Sequence, residues 1–189
     1  VMTNAAQALG SGNNAKAGKL ITSGLLLIFL VSLFFAVAGI LCIESTFALF
    51  GANAEVMPDI RAYMTTWYLG CCTASLGMAG NELLIAAGDS KIASFMMMCG
   101  MVLNVIFDPL FIMGFGPIPA MGIKGAAIAT VLSQLVSALV VLLILGRRHG
   151  LIRIAPMPLT ILRTTWAVII RYAVPSTIGM LMMPLGSAV

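Results

Sequence analysis

Long apolar runs separated by short polar segments dominate this chain of 189 residues. At 1.5 Å of rise per helical residue, four of the runs are long enough to cross a hydrocarbon core of about 30 Å. A fifth run starts near Arg171 or Tyr172 and is cut short by the end of the sequence. Backbone groups in lipid must be bonded internally, and strand-like alternation is absent, so we predict helices. The four full runs are residues 20–43, 62–81, 92–115 and 125–146.

Composition supports a membrane protein and excludes an ordinary soluble domain. Hydrophobic residues make up 61% of the chain and charged residues 8%, against about 25% charged residues in soluble domains. The net charge of +4 comes from basic residues that lie between the apolar runs. This placement indicates membrane topology and argues against a nucleic-acid partner. The predicted fold class is therefore all-α, a polytopic integral membrane helical bundle in a lipid bilayer.

The distribution of charge predicts how the helices cross the membrane. Basic residues concentrate in three segments that alternate helices place on one side, which the positive-inside rule makes cytoplasmic. We therefore expect a multi-pass protein of the cell membrane, and we expect the chain to be an internal piece of a longer protein. The cytoplasmic set is Lys16, Lys19, Lys91, Arg147, Arg148, Arg153 and Arg163, and the outer set is Arg61 and Lys124 with Glu44, Glu55 and Asp59.

Asp108 is a carboxylate inside an otherwise uncharged span. An ionised group at bilayer depth costs at least about 2.5–3.5 kcal/mol, so such residues usually have a function. Asn104 lies one helical turn before it on the same face, and Pro109 should kink the helix and free the carbonyl of Val105. Three oxygen donors on a bent helix could hold Na⁺ or relay a proton. The alternative is a neutral Asp108 that is bonded to a neighbouring helix.

Other polar and polarisable residues within the spans are weaker candidates. The Thr130 hydroxyl could reach a neighbouring helix or bond back to its own helix. Tyr63 lies near the outer interface, where an aromatic belt is the alternative, and Glu82 could couple ions or simply reach the interface. A methionine-rich run could line a site for varied apolar ligands or pack against lipid; it comprises Met96, Met97, Met98 and Met101. Catalytic pairs, phosphate-binding loops and metal clusters are absent from the sequence, so we expect neither an enzyme nor a cofactor.

Four ordered stretches of the sequence resemble the multidrug and toxic compound extrusion (MATE) family. The specific part is the Asn-x-x-x-Asp-Pro run followed by Gly-x-x-Gly-Ala-Ala, and the likeness extends along essentially the whole chain. Leu84 and Ile85 depart from the pattern, because the family often has Arg near this position. The matching stretches are QALGSGN (7–13), AAGD (86–89), LNVIFDPLFI (103–112) and MGIKGAAIAT (121–130).

The resemblance implies part of a transporter with two lobes and twelve helices. Residues 1–146 would hold the end of helix two and helices three to six of the first lobe. Residues 147–171 would form a cytoplasmic linker, and residues 172–189 the start of the second lobe. Matched to the family, Asn104 and Asp108 belong to a cation site, with possible Na⁺ ligation. Thr130 adds a hydroxyl from helix six, and Tyr63 matches more loosely.

The function that the resemblance implies is cation-coupled multidrug antiport. Na⁺ or H⁺ would move inward while organic, often cationic, drugs move outward by alternating access. One alternative is a lipid-linked oligosaccharide flippase of the same superfamily; the spans contain no interior Arg or Lys to accept a pyrophosphate, which argues against it. A non-transporting membrane scaffold is the other alternative, in which the helices serve assembly alone.

Overall fold

Six helices make up the computed structural model, which describes residues 2–12, 14–117, 119–152 and 159–186. Strands are absent from these ranges, so the predicted all-α class is confirmed. The helices are α1 (Met2–Gly10), α2 (Asn14–Leu49), α3 (Met57–Ala86), α4 (Ser90–Ile112), α5 (Gly122–Arg147) and α6 (Leu159–Gly186).

Each of the four predicted full spans corresponds to one helix. Within the described ranges, four helices are long and apolar enough to cross a membrane, namely α2 from Ala17, α3, α4 and α5. Three of them are longer than the uncharged runs, because a helix continues past the hydrocarbon core to polar residues such as Glu44 and Asp59. The third predicted span, residues 92–115, corresponds to α4, which ends earlier than expected, at Ile112. Gly114, with a φ of 76°, terminates this helix.

The predicted linker includes a helical part. Helix α6 begins at Leu159 and therefore contains residues 159–171, which the sequence analysis assigns to the linker. Residues 153–158 of that linker lie outside the described ranges. The fifth, truncated run lies in α6, which is not among the four candidate spans in the described structure. The division into two lobes and a linker stays a prediction.

Helix α5 is the centre of the packing, with α3 on one side and α4 on the other. Helix α2 packs on the far side of α3, while α6 contacts α2 and the short α1 packs against α2 and α3. Small residues allow the closest approach: a Cβ atom placed on Gly77 of α3 would lie 3.2 Å from the Ala138 Cβ of α5. Membrane helices associate through such close packing because lipid is as apolar as their own side chains.

Buried residues concentrate at one end of the bundle. A buried cluster combines α1, the start of α2, the ends of α3 and α5, Ala93 of α4 and the residue Leu151. At the other end, large apolar side chains are exposed, with Leu49 at 88% and Phe50 at 81%. An exposed surface of this kind would be covered in a membrane protein by lipid or by neighbouring helices. The packed end is the one that the charge distribution predicts to be cytoplasmic.

Substitution of Gly80 tests the packing of α3 on α5. A Cβ atom at Gly80 would lie 2.7 Å from the Val141 Cγ1 atom, and Val141 is buried. Overpacking of this kind costs about 1–3 kcal/mol, so Gly80→Ala should lower the Tm of the purified protein. Gly179→Ala is the control, because nothing lies within 4 Å of a Cβ atom there and alanine favours helix. Equal Tm values for the two variants would contradict the close packing.

Candidate intramembrane binding site

A cavity of about 840 Å³ lies between α3 and α4, with α5 behind it. It exists because α5 packs closely on both helices, whereas α3 and α4 contact each other less. Its volume lies within the usual range of small-molecule sites, about 300–1,000 Å³. Apolar and polarisable side chains form most of the wall, namely Trp67, Cys71, Met78, Ile85, Met96, Met97, Met101 and Val141.

Polar groups from α3 and α5 also line this cavity. On α5, Ser133 and Ser137 donate hydrogen bonds to carbonyl groups of their own helix, each at 2.9 Å. Gln134 of α5 and, on α3, Ser75, Asn81 and Glu82 also belong to the polar part of the lining. Because the serine protons are already used, these hydroxyl groups offer mainly acceptor lone pairs to a ligand.

Asn81 has an unsatisfied hydrogen-bonding atom. Its Oδ1 atom is buried and, within the described structure, accepts no hydrogen bond. Leaving a buried acceptor unpaired costs about 1–3 kcal/mol, and a ligand that donates an N–H or O–H group would remove this cost. Asn81 also lines the cavity, and a rotation of its side-chain amide would present the acceptor to a ligand with a hydrogen-bond donor.

The structure brings together two of the residues that the sequence assigns to a cation site. Asn104 of α4 donates from Nδ2 to Thr130 Oγ1 of α5 at 3.3 Å, and both residues line the cavity. Thr130 also donates to the Ala126 carbonyl at 3.0 Å, so its hydroxyl bonds both to its own helix and to a neighbour. The Asn104 Oδ1 atom has no hydrogen-bond donor among the described residues and can accept one from a ligand or coordinate a cation.

Asp108 and Tyr63 lie apart from this pair. Asp108 is half-buried one turn beyond Asn104 on α4, and within the described ranges its carboxylate has neither a hydrogen bond nor an ion pair. Tyr63 is half-buried near the start of α3. Neither side chain belongs to the lining of the cavity. Pro109 lies inside α4, which continues to Ile112.

The candidate cation site therefore consists of one carboxylate, one amide and one hydroxyl. In the described part of the chain, no group of three or more His, Cys, Asp and Glu side chains could hold a metal ion. Oxygen donors of this kind suit a hard cation such as Na⁺, or a proton, better than a transition metal. The role of these three residues, and that of Tyr63, in a cation site stays a prediction.

Several cavity residues were missed by the sequence analysis. The missed residues of α5 are Ser133, Gln134 and Ser137. Together with Thr130, which the sequence does single out, they recur at helical spacing in an otherwise apolar run. This polar face of α5 was the signal that could have revealed them. Asn81 and Trp67 had no such signal, because a single polar or aromatic residue does not reveal which way it faces. Three of the four methionines singled out, Met96, Met97 and Met101, line the cavity, and Met98 does not.

These features define a multi-pass helical membrane protein with a cavity between its spans. The family model described as MatE matches residues 1–110. The chain belongs to this family, whose members are transporters, and the resemblance drawn from its motifs is confirmed.

Individual relatives agree with this assignment. An FAD transporter of Shewanella oneidensis is 35% identical over 189 residues, which are 100% of this chain and 42% of that protein. A probable multidrug resistance protein of Bacillus subtilis, YoeA, is 25% identical over 182 residues, or 95% of this chain and 39% of that protein. A solved outward-facing structure of a multidrug resistance MATE family transporter superimposes with a TM-score of 0.81 at 25% identity, covering 97% of this chain and 40% of that one.

Two adjacent cysteines test whether the cavity is open to water. Cys71 lines it and Cys72 does not, and both are free thiols. In single-cysteine variants of the full-length protein, a small hydrophilic thiol reagent should modify Cys71 about tenfold faster than Cys72, because the thiolate reacts only where the reagent has access. Modification is measured by mass spectrometry. Equal rates would contradict a water-accessible cavity at this position.

Proposed function

We propose that this chain forms part of a cation-coupled antiporter that exports organic, often cationic, compounds by alternating access. The observation that carries the proposal is the 840 Å³ cavity whose wall contains the bonded pair Asn104 and Thr130. A substrate space and a candidate coupling site thus share residues. The chain spans about two fifths of the length of the relatives it matches, so the transport cycle belongs to the whole protein.

The cavity suits an organic cation with a donor group. The one charged side chain in its described lining is that of Glu82, which would attract a positive substrate. Trp67 offers an aromatic face for a cation or a ring, and methionines adapt to varied apolar shapes. The unpaired Asn81 Oδ1 would accept from an N–H group of the substrate.

Coupling requires that the ion prefer one conformation. An ion that binds both conformations with equal affinity does not shift the equilibrium between them. To move that equilibrium from 1:99 to 99:1, the ion must bind one conformation about 10⁴-fold more tightly than the other. Asp108 would supply the charge for Na⁺ or H⁺, and Asn104, one turn away on the same helix, donates a hydrogen bond to Thr130. Occupancy at Asp108 would change the set of hydrogen bonds that Asn104 makes across α4 and α5. The substrate would contact the same wall of the cavity, formed by α4 and α5. Ion and substrate would therefore both change the preferred arrangement of these two helices.

Asp108→Asn in the full-length protein tests the coupling site. The variant keeps the shape of the side chain and removes its charge, so ion-driven efflux should fall to the level of empty vesicles. Ethidium efflux from proteoliposomes under an imposed Na⁺ or H⁺ gradient is the measurement, and incorporation into vesicles is checked in parallel. Asp59→Asn is the matched control, because Asp59 is exposed at the start of α3. Efflux by the Asp108 variant equal to that of the control would exclude the site.

A flavin nucleotide is a second candidate substrate. The relative from Shewanella oneidensis, 35% identical along the full chain, is named an FAD transporter. A flavin ring carries amide-like N–H and carbonyl groups, which Asn81 and Gln134 could pair with, and a flat face for Trp67. Its pyrophosphate would need cations from elsewhere, since the described lining contains no Lys or Arg.

Direct competition separates the two candidates. Proteoliposomes containing the full-length protein are assayed for export of FAD and of a cationic dye, each against an excess of the other. The multidrug proposal predicts that the dye is exported and that FAD inhibits this export only weakly. Saturable FAD export that exceeds dye export would contradict the multidrug proposal and support the flavin proposal. If FAD is the substrate, the Gln134→Leu variant should reduce FAD export about tenfold, the usual cost of a lost hydrogen bond to a buried polar group.

A further inference from the structure

Three charged or titratable side chains that do not line the cavity meet at the packed end of the bundle. Asp89 lies in the turn between α3 and α4, and its Oδ2 atom is 2.7 Å from His149 Nε2. Arg148 approaches the same oxygen with Nε at 3.5 Å. The side chains of Asp89 and His149 are only 24% and 19% exposed, whereas Arg148 is 61% exposed.

The backbone on both sides of this contact is also fixed. Gly88, with a φ of 90°, ends α3, and the Asp89 N–H donates to the Leu84 carbonyl at 3.0 Å. After α5 the chain turns at Gly150, with a φ of 59°, and the Leu151 N–H donates to the Leu145 carbonyl at 3.0 Å. The chain that leaves α5 is therefore folded back onto the bundle.

Leu151 shows that this fold-back is part of the core. Its side chain is 2% exposed and belongs to the buried cluster of α1, α2, α3 and α5. The segment from Arg148 to Ile152 is thus held by the Asp89 contacts, by backbone hydrogen bonds and by Leu151. Freeing this segment would add up to roughly 17 Å to the connection towards α6, at about 3.3–3.6 Å per residue.

Among the residues whose side chains the structure describes, the other charged groups at this end of the bundle are exposed. They are Lys19 of α2, Glu82 of α3, Lys91 of α4 and Arg147 of α5, while α1 contains no charged residue. Within the described structure, none of them forms an ion pair with Asp89 or His149. Asp89 therefore has two basic partners and no competing acid in contact. Protonation of His149 would turn a neutral donor into a cationic one.

We propose that Asp89, His149 and Arg148 form a clasp that holds the start of the connection to α6 and tightens as the cytoplasm becomes acidic. Histidine is the side chain that changes charge near physiological pH, and an imidazolium opposite the Asp89 carboxylate adds an attraction between opposite charges to the hydrogen bond. A closed clasp limits how far the cytoplasmic ends of the two lobes can separate. That consequence rests on the proposed alternating access, whereas the clasp itself does not.

Hydrogen exchange at the Leu151 amide of the full-length protein tests the clasp without any transport assay. After correction for the intrinsic effect of pH on exchange, protection in the wild type should be about tenfold higher at pH 5.5 than at pH 8. Asp89→Asn should lower protection and remove its pH dependence. His149→Gln keeps a neutral hydrogen-bond donor. Protection of the Leu151 amide in this variant should not vary with pH and should stay near the protection that the wild type shows at pH 8.

A neighbouring charge provides the control for this test. Arg147→Gln removes an exposed cation beside the clasp and should leave both the protection and its pH dependence unchanged. Wild-type protection that does not vary with pH, or Asp89→Asn protection equal to wild type, would overturn the clasp. Failure of the Asp108 experiment would leave these exchange profiles unaffected, so the two proposals fail separately.

A distance measurement tests the link to lobe separation. Spin labels at the exposed positions Lys91 and Tyr172 report the distance between the start of α4 and the middle of α6. In Asp89→Asn the distance distribution at pH 5.5 should extend to longer values than in the wild type. An identical distribution in both proteins would overturn the claim that the clasp limits separation.

Discussion

Lipid offers no hydrogen bonds, and this constraint governs both the packing and the site. Helices in such a solvent are held by close contact between small residues and by a few polar pairs. In this chain, α5 meets α3 along a line of glycines and meets α4 through the hydrogen bond between Asn104 and Thr130. With α5 fixed on both sides, α3 and α4 remain apart and the cavity opens between them.

The same constraint explains why the polar residues have consequences for function. A serine or threonine can satisfy its proton by bonding back to its own helix, as Ser133 and Ser137 do. An asparagine side chain has two N–H donors and a carbonyl oxygen, and bonds to its own helix cannot satisfy all of them. Asn104 finds a partner on α5, whereas the Oδ1 atom of Asn81 is left without one. An unsatisfied group in the wall of a cavity favours ligands that can pair with it once its side chain turns.

Sequence reasoning predicted the spans and the fold class because hydrophobicity and length are local properties. It also selected Asn104 and Thr130, because polar residues are rare in such runs; the structure joins them by a hydrogen bond, and their role in a cation site stays a prediction. It could not give the cavity, because Asn81 and Trp67 acquire their role only when α3 and α4 are positioned against α5. The contact between Asp89 and His149 was equally hidden: the two residues are far apart in sequence, and each looked like an ordinary residue of a polar segment.

The central claim is that organic substrates bind between α3 and α4. An experimental structure of the full-length protein with a transported compound bound would test it most directly. The account predicts density for the compound in that cavity, with a donor group of the compound within hydrogen-bonding distance of the Asn81 Oδ1 atom. A compound bound elsewhere, with this cavity filled by a lipid acyl chain, would contradict it.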